Sequence, residues 1–556
     1  MPFLKKIVKW LLIFIGIITM LLGIFAGYVY LISDTKEPNI INEDSREPGA
    51  VSIANDSLKT LGSNWLLKND FGMYELYVEG APYERGRIIG KLSEPLIQYQ
   101  EVAFTNQIKR MIPSQSYLSF LKYVIGFLNR DLSRHVIPEY QAEIYGISKS
   151  ASDSFNWIGT PFSRILNYHS AHDVGHALQN MMLVGCSSFG AWGENTTTGS
   201  MIIGRNFDFW VGDEFAQNKI VQFVAPDSGH KFAYITWGGF AGVVSGMNDK
   251  GLTITINAAP SEVPINTATP VSLLAREILQ YAKNINEAVA IAKKRKVFVS
   301  ESFLVGSSAD KRVVIIEKSP SKMDVVYPTT DFITSTNHFQ SRDLGNLPRN
   351  MKAKRETASM YRQKRLEQLL HRSRPLDIVK SAAILRNPYG LNDKDIGWGN
   401  EKAINQLIAH HSIIMMPDSL RFWVSTEPWA LGEYVCYDLN KVFSMKEIPQ
   451  SSVASAQMNI PEDPFVQSSC YRDFLYFRTI KNNFTFDHSN SFVFNPDSFM
   501  FSNPSYYDTY RILGDYYAKR QNRSNAEEMY HLALTKEIAT ENERRAILKK
   551  LKKLKR

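Results

Sequence analysis

The chain has 556 residues, 44% of them hydrophobic and 21% charged, the balance of a globular protein with material for more than one domain. Its net charge of +9 is local: residues 544–556 hold eight basic side chains and no acidic one, leaving 56 basic against 55 acidic residues elsewhere. A body that near neutrality argues against nucleic-acid binding, and three cysteines are too few for a disulfide framework.

Residues 10–33 form an uncharged run of 24, rich in Leu, Ile, Phe and Gly, long enough to cross a hydrocarbon core as one helix. The run exceeds the apolar region of about 7–15 residues typical of a cleaved signal peptide. Lys5, Lys6 and Lys9 precede it, and Asp34, Glu37, Glu43 and Asp44 follow. The positive-inside bias then predicts a cytoplasmic stub and single-pass signal anchor (residues 1–33), with the rest extracytoplasmic, either periplasmic or extracellular.

Residues 34–68 read as a polar linker running into a helix start, and residues 69–185 as a leading segment. That segment opens with an alternating strand at 73–78, then a helix over 83–100 containing Gly86 and Gly90; residues 100–182 read as largely helical. Past residue 185 the pattern turns strand-like. Strands are predicted at 186–192 and 201–209, joined by a polar hairpin loop, then at 220–224, 232–237, 242–247 and 252–256. Helices follow at 270–283 and 285–293, strands at 303–305, 312–317 and 323–326, helices at 354–371 and 376–384, and strands at 411–416 and 420–425. The order implies an α+β layered domain over residues 186–450. Residues 451–505 give no regular pattern. Residues 506–556 read as a helical hairpin with a basic tail, in which Tyr510, Leu513, Gly514, Tyr517, Ala526, Tyr530 and Ala533 are spaced as in a single tetratricopeptide repeat.

Three features carry candidate chemistry. His172 and His176 share a helix face beside His169, a zinc-like spacing, but Asp173 stands where a zincin would carry Glu; no metal site is expected. Cys186 opens a strand and reads as a buried packing residue, half of a disulfide, or a nucleophile. Cys436 and Cys470 are a further possible pair, 34 positions apart. A cut between Gly185 and Cys186 would give the thiol a neighbouring α-amine, which titrates near 7.7–8.0 and can act as base. The returning strand brings Arg205, Asn206 and Asp208 alongside, where Arg205 would lower the thiol pKa. Third, Asn257 and Asn337 each end an extended segment, where a carboxamide can donate to an oxyanion or form a turn.

Together these pieces resemble the N-terminal-nucleophile (Ntn) hydrolases, above all the acyl-coenzyme A:6-aminopenicillanate (isopenicillin N) acyltransferase family, related to the choloylglycine hydrolases. The likeness rests on Tyr74-Glu-Leu76, Gly80-Ala-Pro-Tyr-Glu-Arg-Gly86 with Gly90, Gly185-Cys-Ser-Ser-Phe189, Gly204-Arg-Asn-Phe-Asp208, Gly246-Met-Asn-Asp-Lys-Gly-Leu252 leading to Asn257, Thr336-Asn-His-Phe339, and Ser359-Met-Tyr-Arg362. The resemblance implies an αββα four-layer sandwich and self-cleavage at Gly185–Cys186 into two chains that stay associated. It implies Cys186 as nucleophile, supported by Arg205, Asp208, Asn257, Asn337 and Arg362, with Arg365 a rival for the last place. It also implies a small-molecule amide or acyl substrate, hydrolysed or transferred through a thioester, and no cofactor. The contrasting expectation is an inactive, membrane-anchored interaction protein that binds partners through the core and tail.

Overall fold

The computed structural model describes residues 2–40, 47–170, 173, 185–260, 267–487 and 491–554. His172 and His176 lie outside the described residues. In chain order the strands are β1 (Ser52–Ile53), β2 (Leu58–Leu61), β3 (Asn64–Lys68), β4 (Tyr74–Gly80), β5 (Ser187–Gly193), β6 (Gly199–Asp208), β7 (Ile220–Pro226), β8 (Phe232–Thr236), β9 (Ser245–Asn248), β10 (Leu252–Ala258), β11 (Glu301–Ser307), β12 (Arg312–Lys318), β13 (Met323–Val326), β14 (Phe332–Ser335), β15 (Ala409–Met416), β16 (Arg421–Ser425) and β17 (Tyr434–Asp438). One sheet has eleven strands in the order β1-β2-β3-β4-β7-β8-β9-β10-β11-β12-β13. The other has six, in the order β14-β5-β6-β15-β16-β17.

Side-chain alternation assigns the faces of the six-stranded sheet. Met201, Ile203, Ile413 and Phe422 meet Val221, Phe223, Ile235 and Ile315 of the larger sheet in one apolar cluster. The alternate residues Ile202, Ile414 and Trp423 instead meet Leu366, Leu370 and Ile384 of two helices, Ser359–Arg372 and Ile378–Leu385. The two sheets approach closely at glycines: a Cβ on Gly190 would sit 2.8 Å from Val313, and one on Gly306 2.6 Å from Ile203. The other face of the larger sheet is covered by helices Pro82–Met111, Pro138–Ser148, Val271–Tyr281 and Ile285–Lys294. The chain is a mixed α+β protein, as expected.

Glycines also explain the long helix Pro82–Met111. A Cβ on Gly86 would lie 2.0 Å from the Glu143 carbonyl oxygen, and one on Gly146 2.5 Å from that of Tyr83, so two helices touch backbone to backbone. Beneath this contact Glu143 accepts from Arg85 Nε at 2.8 Å and from Arg276 Nη1 at 2.9 Å, all three side chains buried. Burial alone would raise the Glu143 pKa, but the charges of Arg276 and Arg85 outweigh it and hold the group at about 2.

Several expectations need correction. Residues 52–68 carry no helix start; they form β1–β3, and Gly62 at φ +60 turns the hairpin that pairs Leu61 with Asn64. The strand expected over 242–247 begins at Ser245, because Val243 N–H donates to Ser272 of a helix rather than to a neighbouring strand. The helix expected over 354–371 is two, Pro348–Glu356 and Ser359–Arg372, separated by extended Thr357. The extended segment before Asn337 is strand β14, whereas β17 was not expected, nor were helices Ser469–Phe486 and Pro496–Ser502 in the stretch that gave no pattern. Further along, helices Tyr507–Lys519 and Arg523–Thr535 pack with the Tyr530 ring against Gly514, where a Cβ would meet it at 2.4 Å. Cys436 and Cys470 are free thiols, the first buried and the second exposed. At the other end, Pro2–Ile32 is one helix whose Lys6–Ile32 stretch is long and apolar enough to cross a membrane.

Candidate active site

Each candidate side chain arrives from the end of a different element, and those ends meet. Cys186 directly precedes β5, whose Ser187 and Ser188 pair with Asn206 and Arg205 of β6. Gly185 N–H donates to the Asp208 carbonyl at 2.9 Å, which extends that ladder past the nucleophile candidate. Asn257 closes β10, Asn337 follows β14, and Arg362 sits one turn into helix Ser359–Arg372. That helix start is held by Thr336, whose Oγ1 donates to the Ser359 carbonyl at 3.1 Å, and by His338 Nδ1, 2.7 Å from Ser359 Oγ.

The Gly185–Cys186 junction is buried. Its Gly185 carbonyl oxygen accepts two hydrogen bonds of 2.6 Å, from Arg362 Nη1 and from Gln406 Nε2. Arg362 Nη1 also reaches the Cys186 carbonyl at 2.6 Å, while its Nη2 donates to Asn337 Oδ1 at 2.7 Å. Arg365 points elsewhere, to Gln368, Asn387 and Asp393. Gln406 was not anticipated. It stands in the approach to β15, whose Ala409 pairs with Asp208, and no local pattern in its neighbourhood marks it. A Cβ on Gly185 would sit 2.4 Å from Gln406 Nε2, so the glycine is what lets this carboxamide in.

Arg205 Nη2 lies 3.6 Å from Cys186 Sγ and also donates to the Ile256 carbonyl, and its Nη1 bonds the Val244 carbonyl at 2.8 Å. Its effect on the thiol has the expected direction but is outweighed. Burial pushes the Cys186 thiol up to about 11, Arg205 pulling the other way and Asp208 adding to the rise. The thiol is therefore protonated at neutral pH. Asp208 is also buried; burial lifts its carboxyl to about 7 against the pull of Arg362 and Arg205. Gln406 Nε2 donates to Asp208 Oδ2 at 3.1 Å, while Oδ1 has no hydrogen-bond partner among the described residues. Glu301 is another buried carboxyl, neither of whose oxygens has a hydrogen-bond partner among the described residues; its pKa is raised by burial and by Asp173, with Arg205 opposing.

The two asparagines are engaged differently from an open oxyanion donor. Asn257 Nδ2 donates to the Ser335 carbonyl at 3.0 Å, and its Oδ1 accepts from Ser188. Asn337 Nδ2 donates to the Ala258 carbonyl at 3.0 Å. Both amides are occupied, and the donors on the Gly185 carbonyl are Arg362 and Gln406. Beside this junction opens a cavity of about 540 Å³, walled by Trp210, Trp398 and Tyr506 and by Phe474, Phe477 and Arg478 of helix Ser469–Phe486. Among the described residues no group of three or more His, Cys, Asp or Glu is arranged to hold a metal ion.

Residues 193–392 match the family model described as acyl-coenzyme A:6-aminopenicillanic acid acyl-transferase. The resemblance read from the motifs is borne out by that match, which takes in Arg205, Asp208, Asn257, Asn337 and Arg362 and begins after Cys186. Among curated proteins the chain is 26% identical over 277 residues to an uncharacterized protein of Archaeoglobus fulgidus, covering 46% of this chain and 45% of that one. It is 23% identical over 299 residues to protein dcd1B of Dictyostelium discoideum, covering 50% and 54%. The chain thus spans about half the length of the curated relatives it matches. Similar solved structures include a Caenorhabditis elegans N-acylethanolamine-hydrolyzing acid amidase ortholog, with TM-score 0.31, 18% identity, and coverage of 42% of this chain and 93% of that chain. A mutant conjugated bile acid hydrolase from Clostridium perfringens gives TM-score 0.32, 14% identity, and 46% and 93% coverage. Scores of this size carry no argument about this chain's chemistry.

Proposed function

We propose that the chain is a self-processing cysteine Ntn hydrolase or acyltransferase of linear amide bonds, and that its first substrate is its own Gly185–Cys186 peptide. One observation carries the reading: the Gly185 carbonyl oxygen holds two 2.6 Å donors, Arg362 and Gln406, while the thiol of the next residue has Arg205 at 3.6 Å. Donors fixed on an oxygen that must become negative are the largest single aid to acyl transfer.

The ionised Asp208 carboxylate takes the Cys186 thiol proton, and Arg205 holds the resulting thiolate. Sulfur bonds to the Gly185 carbonyl carbon, and the oxyanion rests on Arg362 and Gln406. The C–N bond then breaks, and the departing nitrogen receives the proton from Asp208. A thioester joins Gly185 to Cys186 Sγ, and the α-amine is free. Water hydrolyses the thioester, leaving a Gly185 carboxylate and the Cys186 thiol. That amine is afterwards the base for the same chemistry on an external amide, giving a thioester acyl-enzyme resolved by water or an amine.

The two sheets, lined on their outer faces by helices, support an αββα four-layer arrangement for this domain. The ladder between β4 and β7 supports continued association of the two product chains. The cavity of about 540 Å³ suits a small-molecule amide. The apolar helix Pro2–Ile32, with Lys5, Lys6 and Lys9 on its leading side, supports a membrane anchor and an extracytoplasmic catalytic domain. In the tail, helices Tyr507–Lys519 and Arg523–Thr535 are read as the hairpin resembling a single tetratricopeptide repeat.

Intact-mass measurement and N-terminal sequencing of the purified protein test the reading. A fragment beginning at Cys186 is expected, and it should be absent from Cys186→Ala. Full-length chain alone, inert toward acyl amides, would refute it.

A further inference from the structure

Gln406 reaches the Gly185 carbonyl from a backbone that needs outside support. The next residue, Leu407, has φ +54, in the left-handed region that a branched side chain avoids. Its N–H donates to Asn405 Oδ1 at 3.2 Å, and its carbonyl accepts Arg478 Nη1 at 2.8 Å. Arg478 belongs to the tail helix Ser469–Phe486. Its other nitrogens bind Asp213, Nε at 3.0 Å and Nη2 in an ion pair, and its guanidinium lies over the Trp429 ring, 4.8 Å from the centroid. Asp213 follows β6, the strand that carries Arg205 and Asp208. The Leu407 side chain is fully buried in an apolar cluster built mainly by the tail, including Phe474 and Phe477.

We propose that Arg478 is a positioning residue for self-cleavage. By bracing the turn at Leu407 it keeps Gln406 on the Gly185 carbonyl, so the junction is cut only once the C-terminal helices have docked. The inference rests on the self-processing reading and adds a condition to it: a helix about 290 residues downstream licenses the bond at Gly185.

The test uses full-length precursor and reads the first-order rate at which the Cys186 fragment appears. Gln406→Ala removes an oxyanion donor and should slow cleavage by about 10²–10³-fold. Arg478→Ala should slow it about tenfold or more on its own. In the Gln406→Ala background it should change the rate by less than about twofold, since nothing remains to be positioned. Multiplying losses would show that Arg478 merely supports the fold, and would overturn the proposal. Asp213→Asn loosens the same guanidinium without altering the tail, and covers the case in which Arg478→Ala does not fold. It should slow cleavage about threefold or more, an effect that also vanishes in the Gln406→Ala background; an unchanged rate would overturn the proposal. A wild-type chain that never cuts removes the self-processing reading and this inference with it. A wild type that cuts, beside an Arg478→Ala variant that cuts equally fast, removes this inference alone.

Discussion

Replacing Gly185 by alanine tests the junction with one methyl group. A Cβ there lies 2.4 Å from Nε2, 2.5 Å from Oε1 and 2.8 Å from Cδ of Gln406. Ordinary contact between such atoms is about 3.5 Å, so the carboxamide must withdraw by about 1 Å. The 2.6 Å bond from Nε2 to the Gly185 oxygen then stretches to about 3.6 Å, past the limit of a hydrogen bond. Arg362 keeps its grip, so the change removes one of two donors. Loss of one preorganised oxyanion donor costs about 2.7–4 kcal/mol of barrier, or 10²–10³ in rate. The rate is followed by intact mass after purification of the uncut chain. Gly185→Ala and Gln406→Ala should slow cleavage to a similar extent, and the double variant should be scarcely slower than Gln406→Ala alone, because the methyl then fills vacated space. Cleavage of Gly185→Ala within about threefold of wild type would show that Gln406 does not act on this carbonyl.

Four further outcomes are expected. The cleavage rate should rise with pH until about pH 7 and then level off, since burial lifts Asp208 to about 7 and its ionised form takes the thiol proton; a flat profile would exclude that role. The raised pKa also means that the protonated carboxyl stabilises the fold below the ordinary carboxylate range, and that this contribution fades as pH rises through about 7. Urea titrations of the uncut Cys186→Ala chain should therefore weaken over that window, and the added Asp208→Asn change should flatten the loss. Iodoacetamide should label exposed Cys470 in the uncut chain, and Cys186 only after cleavage, because burial holds its thiol near 11; early labelling of Cys186 would contradict the sealed junction. Glu143→Gln strips the counter-charge from buried Arg85 and Arg276 and should cost roughly 3–5 kcal/mol by denaturant unfolding; a cost below about 1 kcal/mol would mean the pair is otherwise satisfied. The depressed Glu143 pKa places its contribution above the ordinary carboxylate range, with loss as pH falls toward 2.

How much of this was legible depends on where each signal sits. Cys186, Arg205 and Asp208 lie on one hairpin, so strand alternation and a polar loop were enough to bring them together. Asn337 was marked by the extended segment before it, whereas Arg362 was reached only through motif resemblance, and the structure joins the two by a 2.7 Å bond. Gln406 had no such signal, because its placement follows from the left-handed turn at Leu407 and from contacts with a helix some seventy residues later. Helix Ser469–Phe486 gave no apolar stripe because its aromatic residues face several directions. Phe474 and Phe477 turn to the tail core, while Leu475 and Tyr476 stay exposed. The early hairpin β2–β3 was hidden in a polar stretch, its two-residue turn carried by Gly62 and Ser63 alone. The net thiol pKa was not legible for a different reason: a neighbouring arginine is visible in a strand pattern, but the depth of burial that outweighs it is not.

The ladder between β4 and β7 is parallel, from Tyr74 opposite Ile220 to Gly80 opposite Pro226, and joins chain from before Cys186 to chain from after it. β1 to β4 complete a sheet whose other seven strands come from the later segment. A cut after Gly185 would therefore be a nick inside one folding unit rather than the shedding of a cap. The apolar N-terminal helix would stay covalently bound only to the shorter piece, and the nucleophile only to the longer. The grip of any membrane anchor on the catalytic chain would then be the strength of a seven-pair β-ladder and the core around it. Unfolding would become dissociation, so a nicked molecule, once opened, would have to find its other half again by collision.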